Sequence, residues 1–504
     1  MTELYWYDTA GIPLLALLQL LPLLGAALVW RLAERPWAGA LGRGVVLAEL
    51  GFALFLLRVL DQASPALQLA EFVDLPGVLD YHAAADGLTV LFVLLSALLT
   101  LLVSLYSMVR GLPDTTRLLA VVLAVEGVLM SLLCTVNLLW FTLASAVEVA
   151  LIGYLLWRWA TTPEKELALA RFYQFQGTGL LLLLAGALII GWAHADATQG
   201  MWSFDLLDLS RGQVAGPLAT VVFFLLFYGL AIRTPLFPMH GWLPIVAHHG
   251  NVAVAPAFLL GVKVGIYGLA RFVFPIVPEA VQEWHQFAAA FAAVGVFYAA
   301  FLAFVQTNLR RMMAFAVVSH TSLVVVGLFA LHPLGFQGAM LLAVNFGLAT
   351  TAMLFMVGFV YRRTCTTNLA RLGGLFDRIP FIGIAFLVGG FAIVGMPGTP
   401  GFDAVHLLME ASIEKFGALP TVAAALGNVM AAGFLLYAFQ RAFLAAPAGG
   451  PVIAVERGLN MEHLVAGCVL AVLLVTGFYL EPWLKLVEVP LTDLAARFGH
   501  IVHP

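Results

Sequence analysis

Residues Arg233–Pro244 read RTPLFPMHGWLP and follow directly on LATVVFFLLFYGLAI, Leu218–Ile232. The apolar run suits a membrane-crossing helix, which needs about 20 such residues to span the hydrocarbon layer. Its continuation does not, because it brings Arg233, Pro235, Pro238 and His240 into what should be the same span. Each proline removes an amide donor and crowds the carbonyl one turn before it, so the helix must break. In lipid, freed carbonyls are tolerable only where the broken stretch faces protein or lines a hydrated cavity. The stretch therefore predicts a discontinuous helix in a membrane protein, with a permanent positive charge at the break.

The rest of the chain agrees with that environment. Of its 504 residues 62% are hydrophobic and only 10% charged, where soluble domains carry about 25% charged residues. The reading is an all-α polytopic membrane protein, embedded in a lipid bilayer, with about fourteen transmembrane helices. Their expected limits are 11–30, 40–60, 87–109, 117–136, 138–157, 174–194, 216–239, 252–273, 285–306, 312–331, 335–361, 380–398 with a broken continuation to 412, 420–443 and 461–482. The first span lacks a basic leader and a cleavage context and reads as a retained helix. No connection is long enough for a second domain, so residues 1–504 form one membrane domain. Cys134, Cys365 and Cys468 lie far apart and form no CxxC, which leaves disulfide frameworks, iron–sulfur clusters and zinc sites without support. No cofactor and no metal are expected. No stretch resembles a phosphate loop, a quinone or flavin site, a nucleophile triad or a nucleic-acid surface.

Charge alternation orients the spans. Sixteen of the 24 Lys and Arg fall in one set of loops, among them Arg31, Arg110, Arg158, Arg310, Arg311, Arg362, Arg363 and Arg441; six (Arg58, Arg211, Arg271, Lys415, Lys485, Arg497) fall in the other. The positive-inside rule then places both termini on the outer, periplasmic side of a bacterial inner membrane. His248 and His249 fall in an inner loop and are expected to be solvated.

The remaining two cations, Arg233 and Lys263, lie inside spans. Lys263 sits near the middle of VAVAPAFLLGVKVGIYGLARF, about eleven residues or roughly 16 Å from either end. Snorkelling that far is unfavourable, so its ammonium must face protein or a hydrated cavity, where an ionisable group usually marks an ion path. A structural lysine paired with a carboxylate is the plainer alternative. Arg233 keeps its proton at any accessible pH and can only organise water and neighbouring charges. A second interrupted span, IVGMPGTPGFDAVHLL, contains Pro397 and Pro400. Paired broken spans in two halves of a chain point to inverted repeats with a functional site between them. Spans four to eight (116–273) and nine to thirteen (284–444) form the two five-helix units, flanked by residues 1–110 and 445–504. Glu126, Glu148, His320, Asp403 and His406 complete the candidate polar set for a proton path, the prolines supplying the helix breaks.

These segments together resemble a known family. RTPLFPMHGWLP, GVKVGIYGLARF, VQTNLRRMMAFAVVSHTSLVVVGL, GLATTAMLFMVGFVYRR and GMPGTPGF look like the antiporter-like membrane subunits of respiratory complex I, a superfamily that includes Mrp-type cation/proton antiporters. The resemblance covers about residues 80–445 and is nearest the M-type subunit. It implies a hydrated axis through a glutamate on helix five, a lysine on helix seven, a lysine and histidines in the middle, and a lysine or glutamate on helix twelve. Lys263 matches the helix-eight lysine and His320 the histidine after the QTxxKR motif. Arg233 stands in place of the helix-seven lysine and Arg310 in place of the basic residue of QTxxKR. The helix-eleven histidine falls on Phe346, and the helix-twelve acid near Val405, with Asp403, His406 and Glu410 as the nearby substitutes. The helix-five glutamate aligns with Ala146, two residues from Glu148.

The leading expectation is a proton-translocating, antiporter-like subunit that couples proton flux to the work of a larger membrane complex, with other membrane subunits as partners. The host is a complex I-type dehydrogenase, a related membrane hydrogenase, or a DAB-type inorganic-carbon accumulation system. A non-conducting scaffold with a degenerate proton path is the alternative from another class. Any redox chemistry belongs to the partners.

Overall fold

The computed structural model describes the chain apart from residues 1, 76–77, 113, 161, 163, 212–213, 251–262, 447–459 and 500–504. Among the described residues, twelve helices are long and apolar enough to cross a membrane. The N-terminal three are Leu14–Arg31 (α1), Ala38–Val59 (α2) and Gly87–Arg110 (α3). Thr115–Cys134 (α4), Leu138–Trp159 (α5), Lys165–Ala197 (α6) and Gly216–Arg233 (α7) follow, and after a break the short Leu243–His249 (α8) and residues 263–276 (α9). The second half holds Pro278–Phe304 (α10), Leu309–Leu328 (α11), Pro333–Thr364 (α12), the split pair Pro380–Val394 (α13) and Gly401–Phe416 (α14), and Ala418–Phe439 (α15). Asn460–Phe478 (α16) and Glu481–Ala496 (α17) close the described chain.

Two expected spans are not among the twelve, for different reasons. Residues 252–262 of the span expected at 252–273 lie outside the described residues. The span expected at 380–412 is divided by its own glycines and prolines into α13 and α14. Boundaries move too: the run expected at 216–239 stops being helical at Arg233, and the one expected at 174–194 extends over 33 residues, about 50 Å at helical rise.

The helix ends follow side-chain chemistry. Asp86 caps α3 by accepting from Thr89 N at 2.9 Å, and Gly111 ends it in the left-handed region at φ 59°. Asn137 and Asn308 cap α5 and α11 in the same way. Prolines open α10, α12 and α13, where no amide donor is needed.

Several features recur in the two five-helix segments. Before α5, Leu138 N donates to Phe204 O and Leu206 N to Val136 O, both at 2.9 Å, and Asn137 bridges to Asp205. Before α11, Leu309 N donates to Thr367 O at 2.9 Å and Leu369 N to Thr307 O at 2.8 Å, and Asn308 bridges to Asn368. In each segment the third helix is the long one (33 and 32 residues), the fourth is broken, and the fifth carries a π-turn toward its end, Leu269–Val273 or Gln440–Leu444.

A small sheet departs from the all-α expectation. Glu3–Tyr5 (β1) pairs in parallel with Leu67–Val73 (β2), which runs antiparallel to Tyr81–Ala85 (β3). These strands cover the end of the N-terminal helices where Glu71 accepts the Leu15 and Ala16 amides, each at 2.8 Å, and so caps α1. The most enclosed helices are α4, α11 and α12, while α2 and α16 lie at the periphery.

Candidate functional site

Both helix breaks carry their own hydrogen-bond solution. At the first, Thr234 N and Leu236 N donate back to Leu230 O and Ala231 O, and the Trp242 indole donates to Ile232 O at 3.1 Å. Helix α9 packs onto this knot without a side chain in the way: a Cβ on Gly265 would lie 2.0 Å from Thr234 Oγ1 and 2.9 Å from Leu230 O. At the second break Gly395 takes φ 75° and Gly398 φ 85°. Two asparagines, Asn345 buried and Asn428 half-buried, then serve the freed carbonyls, Asn345 Nδ2 donating to Ala392 O at 2.8 Å and Asn428 Nδ2 to Val394 O at 2.7 Å. Sequence reasoning missed both asparagines. The available signal was an amide inside an apolar span, which in lipid must find a partner.

Arg233, the last residue of α7, is 2% exposed and donates through Nη2 to Glu148 Oε2 on α5; Glu148 is 1% exposed. The structure thus gives Glu148, not Ala146, the place facing the first break. A guanidinium–carboxylate hydrogen bond of this kind is charge-assisted and among the stronger ones. Among the described residues the other Glu148 oxygen and the Arg233 Nε and Nη1 have no hydrogen-bond partner. Buried polar atoms of this kind are ordinarily met by water.

Lys263 lies two residues before Gly265 and so at the same break. It is 2% exposed, and its Nζ has no hydrogen-bond partner among the described residues. The ammonium sits 5.2 Å from the centre of the Phe346 ring on α12. Against the same ring, His320 of α11 packs at 4.2 Å between centroids, its Nδ1 placed 3.0 Å from Ala316 O. The His320 ring also lies beside the Asn428 amide and the Ile393 carbonyl, at the second break. The geometry therefore makes one buried row from the first break to the second: Glu148 and Arg233, then Lys263, Phe346, His320 and Asn428. In that row Phe346 is the one apolar member.

Other candidates fall elsewhere. Asp403, His406 and Glu410 occupy the exposed face of α14, whose buried face presents Ala404 and Leu408. These polar groups do not enter the row. Glu126 on α4 is buried, but its neighbours are Glu49 and Ser96 rather than Lys263. His248 and His249, expected in a solvated loop, belong to α8; His249 is 7% exposed and bonds Thr162 Oγ1 at 2.6 Å. Arg271, counted among the outer loop charges, is buried and grips Asp86 bidentately at 2.9 and 2.6 Å. Arg310 is buried as well, 4.7 Å from the Tyr361 ring centre. Among the described residues no group of three or more His, Cys, Asp or Glu is placed to hold a metal ion.

A family profile described as "NADH:quinone oxidoreductase/Mrp antiporter, TM" matches residues 116–431, well over half of the chain. The chain belongs to this family. The antiporter-type subunit is 27% identical over 489 residues to NADH-quinone oxidoreductase subunit M of Escherichia coli K12, covering 93% of this chain and 95% of that one. It is 30% identical over 485 residues to NAD(P)H-quinone oxidoreductase chain 4 1 of Synechococcus sp. JA-3-3Ab, covering 93% and 90%. Its structure superposes on a chain of respiratory complex I from Thermus thermophilus with a TM-score of 0.85 and 26% identity, covering 96% and 100%. The Mrp complex of Dietzia sp. DQ12-45-1b shares the fold, with a TM-score of 0.87 at 18% identity, covering 96% and 97%. The subunit is thus a multi-pass, antiporter-like membrane protein of the complex I M type, and its structural neighbours are subunits of multi-subunit membrane complexes.

Proposed function

We propose that this subunit carries protons through the membrane along the buried row from Glu148 to His320 and couples their movement to a larger complex of the complex I type. The observation that carries the reading is Lys263: a buried ammonium in mid-span, at a helix break, with no hydrogen-bond partner among the described residues. A group so placed is costly and persists where its charge is used. Lysine can release and regain its proton at such a site, whereas Arg233 cannot. Arg233 then works as a fixed charge beside Glu148 at the first break. Transfer past Phe346 requires water between the Lys263 ammonium and the His320 imidazole.

The recurrent clasps, broken fourth helices and π-turns late in the fifth helices support reading residues 116–273 and 284–444 as two repeats. Charge alternation between loops sets them in opposite orientation, with both termini outside. The exposed stripe of Asp403, His406 and Glu410 supports a neighbouring membrane subunit on α14, since Asp403 and His406 follow the mid-span break closely and a carboxylate facing lipid there costs roughly 2.5–3.5 kcal/mol.

A scaffold reading is favoured by one feature, the Phe346 ring in the row. Reconstitution of the native assembly in liposomes with a pH-sensitive dye separates the two. With Lys263→Ala and Lys263→Arg both abolishing proton flux while assembly is intact, the row conducts. Flux unchanged in both variants would assign conduction to a partner and leave this chain as scaffold.

A further inference from the structure

Beyond Lys263, α9 is built in the opposite way from the row. Tyr267 and Arg271 follow Lys263 by four and eight residues, about one and two turns nearer the end of the helix. There α9 meets Asp86 and Thr89 at the start of α3 and Leu133 near the end of α4. Arg271 Nη1 and Nη2 donate to Asp86 Oδ2 and Oδ1 at 2.9 and 2.6 Å. Its Nη2 also donates to Thr89 Oγ1 at 2.8 Å, and its Nε to the Tyr267 hydroxyl at 3.0 Å. That hydroxyl lies 3.0 Å from Thr89 Oγ1 and donates to Leu133 O at 2.5 Å. Thr89 and Tyr267 are fully buried, and Asp86 and Arg271 nearly so.

The contrast with the row is one of saturation. Glu148 Oε1, Arg233 Nε and Nη1, Lys263 Nζ and His320 Nε2 are all buried without a hydrogen-bond partner among the described residues, and atoms of that kind are met by water. No side-chain nitrogen or oxygen of Asp86, Thr89, Tyr267 or Arg271 is left in that state. The surroundings are closed as well. A Cβ on Gly87, the residue after Asp86, would lie 1.6 Å from Leu486 O, so the backbone of α17 rests directly on the start of α3. Beside Tyr267 the Phe92 ring packs at 5.5 Å between centroids, and a Cβ on Gly268 would lie 3.1 Å from the Phe141 ring. A moving proton needs, at each step, a group that can take it and pass one on. Tyr267 already uses its only donor on a backbone carbonyl, and Arg271 keeps its protons at any accessible pH. Protonating Asp86 would break its charge-assisted bonds and leave a guanidinium unpaired in a buried site.

We propose that Asp86, Thr89, Tyr267 and Arg271 form a proton seal that closes the first repeat toward the outer side, so that the Lys263 proton leaves along the row and not straight out along α9. The inference rests on reading Lys263 as a proton carrier and on the orientation given by charge alternation. All four are positioning residues, since none of them takes the proton. The Asp86–Arg271 pair by itself would tie α3 to α9. The Thr89 and Tyr267 hydroxyls go further: Tyr267 occupies both Arg271 Nε and Leu133 O, and Thr89 bridges Arg271 Nη2 to Tyr267. That leaves water no anchor between Lys263 and the end of the helix.

Passive leak, measured without turnover, tests the seal. The native assembly is reconstituted in liposomes, a pH gradient is imposed with the potential clamped by potassium and valinomycin, and a trapped pH-sensitive dye reports its decay. Asp86→Asn/Arg271→Gln removes both charges together and leaves no unpaired ion. The expected result is a gradient that decays several-fold faster than in wild type and returns to the wild-type rate when Lys263→Ala is added. A double variant as tight as wild type overturns the proposal. So does a leak that persists with Lys263→Ala, which would mean loosened packing and not an opened path. Should the double variant fail to assemble, Tyr267→Phe, which removes a single oxygen, decides: a smaller leak with the same dependence on Lys263 supports the seal, and a tight assembly overturns it. Driven flux keeps the two readings apart. Tight seal variants together with driven flux lost in Lys263→Ala refute the seal alone, whereas driven flux that survives Lys263→Ala refutes conduction through the row.

Discussion

Removing the Glu148 carboxylate while Arg233 stays strands a guanidinium in the membrane interior. Breaking a buried pair from one side costs about 3–5 kcal/mol, so Glu148→Ala should lower the thermal midpoint of the detergent-purified assembly sharply. Pairing it with Arg233→Met should recover most of the loss, because no unpaired charge then remains. Arg233→Lys keeps the pair and restores a group that can lose its proton, so liposome assays should show flux at least equal to wild type; complete loss would mean that the guanidinium itself is required. The two asparagines at the second break make a separate case. Asn345→Leu or Asn428→Leu leaves Ala392 O or Val394 O unsatisfied, worth about 1–3 kcal/mol each, and the same thermal measurement checks it. Lys263 and Arg233 stood out in the sequence because charge inside an apolar run is costly. The pairing did not, because Glu148, already a candidate, meets Arg233 only once α5 and α7 are seen side by side.

Among elements, the breaks are the most constrained. Gly265→Ala would bring a methyl into the α7 backbone as well as the Thr234 hydroxyl, and a clash with backbone cannot be relieved by a rotamer. Helix α9 should shift away from the break and take Lys263 with it. The expected result is loss of proton flux with the assembly still isolated intact; unchanged flux would show that the Lys263 position is not set by this contact. Proline and glycine made both breaks legible from sequence alone. The sheet and α17 were not, since strands of three to seven residues and an amphipathic helix carry no long apolar run. The stretch of α6 beyond its expected limits was also hidden, because the added turns are polar and resemble loop.

At the scale of the molecule, one cluster fastens the N-terminal strand to the rest. His82 on β3 lies 2.9 Å from Glu3 of β1 on one ring nitrogen and hydrogen-bonds Asp205, near the start of α7, on the other. Burial alone would lower its pKa, but hydrogen bonds to Asp205 and Glu3 and their charges raise it to about 9. A pKa raised above the ordinary 6.5 adds stability that is complete below that value and disappears as pH rises through about 9. Hydrogen exchange of β1 should therefore accelerate between neutral pH and pH about 10 beyond the intrinsic rate increase, and His82→Gln should abolish that step. Orientation is tested with Cys365, which is exposed at the end of α12. An impermeant maleimide should label it in inside-out vesicles and not in spheroplasts; the reverse would invert the topology.

The sequence by itself determined that this chain lies in a membrane with many crossings, where two of them are interrupted, and which lysine is out of place. Those conclusions follow from the price of polar groups in hydrocarbon, which each residue pays regardless of its neighbours. Only the tertiary structure decided which polar groups share a site. It paired Glu148 with Arg233, set Phe346 against both Lys263 and His320, and turned Asp403 and His406 outward. Helix periodicity gives each residue a direction around its own axis, but which direction meets which neighbour depends on how the helices pack, and that is fixed by contacts hundreds of residues apart.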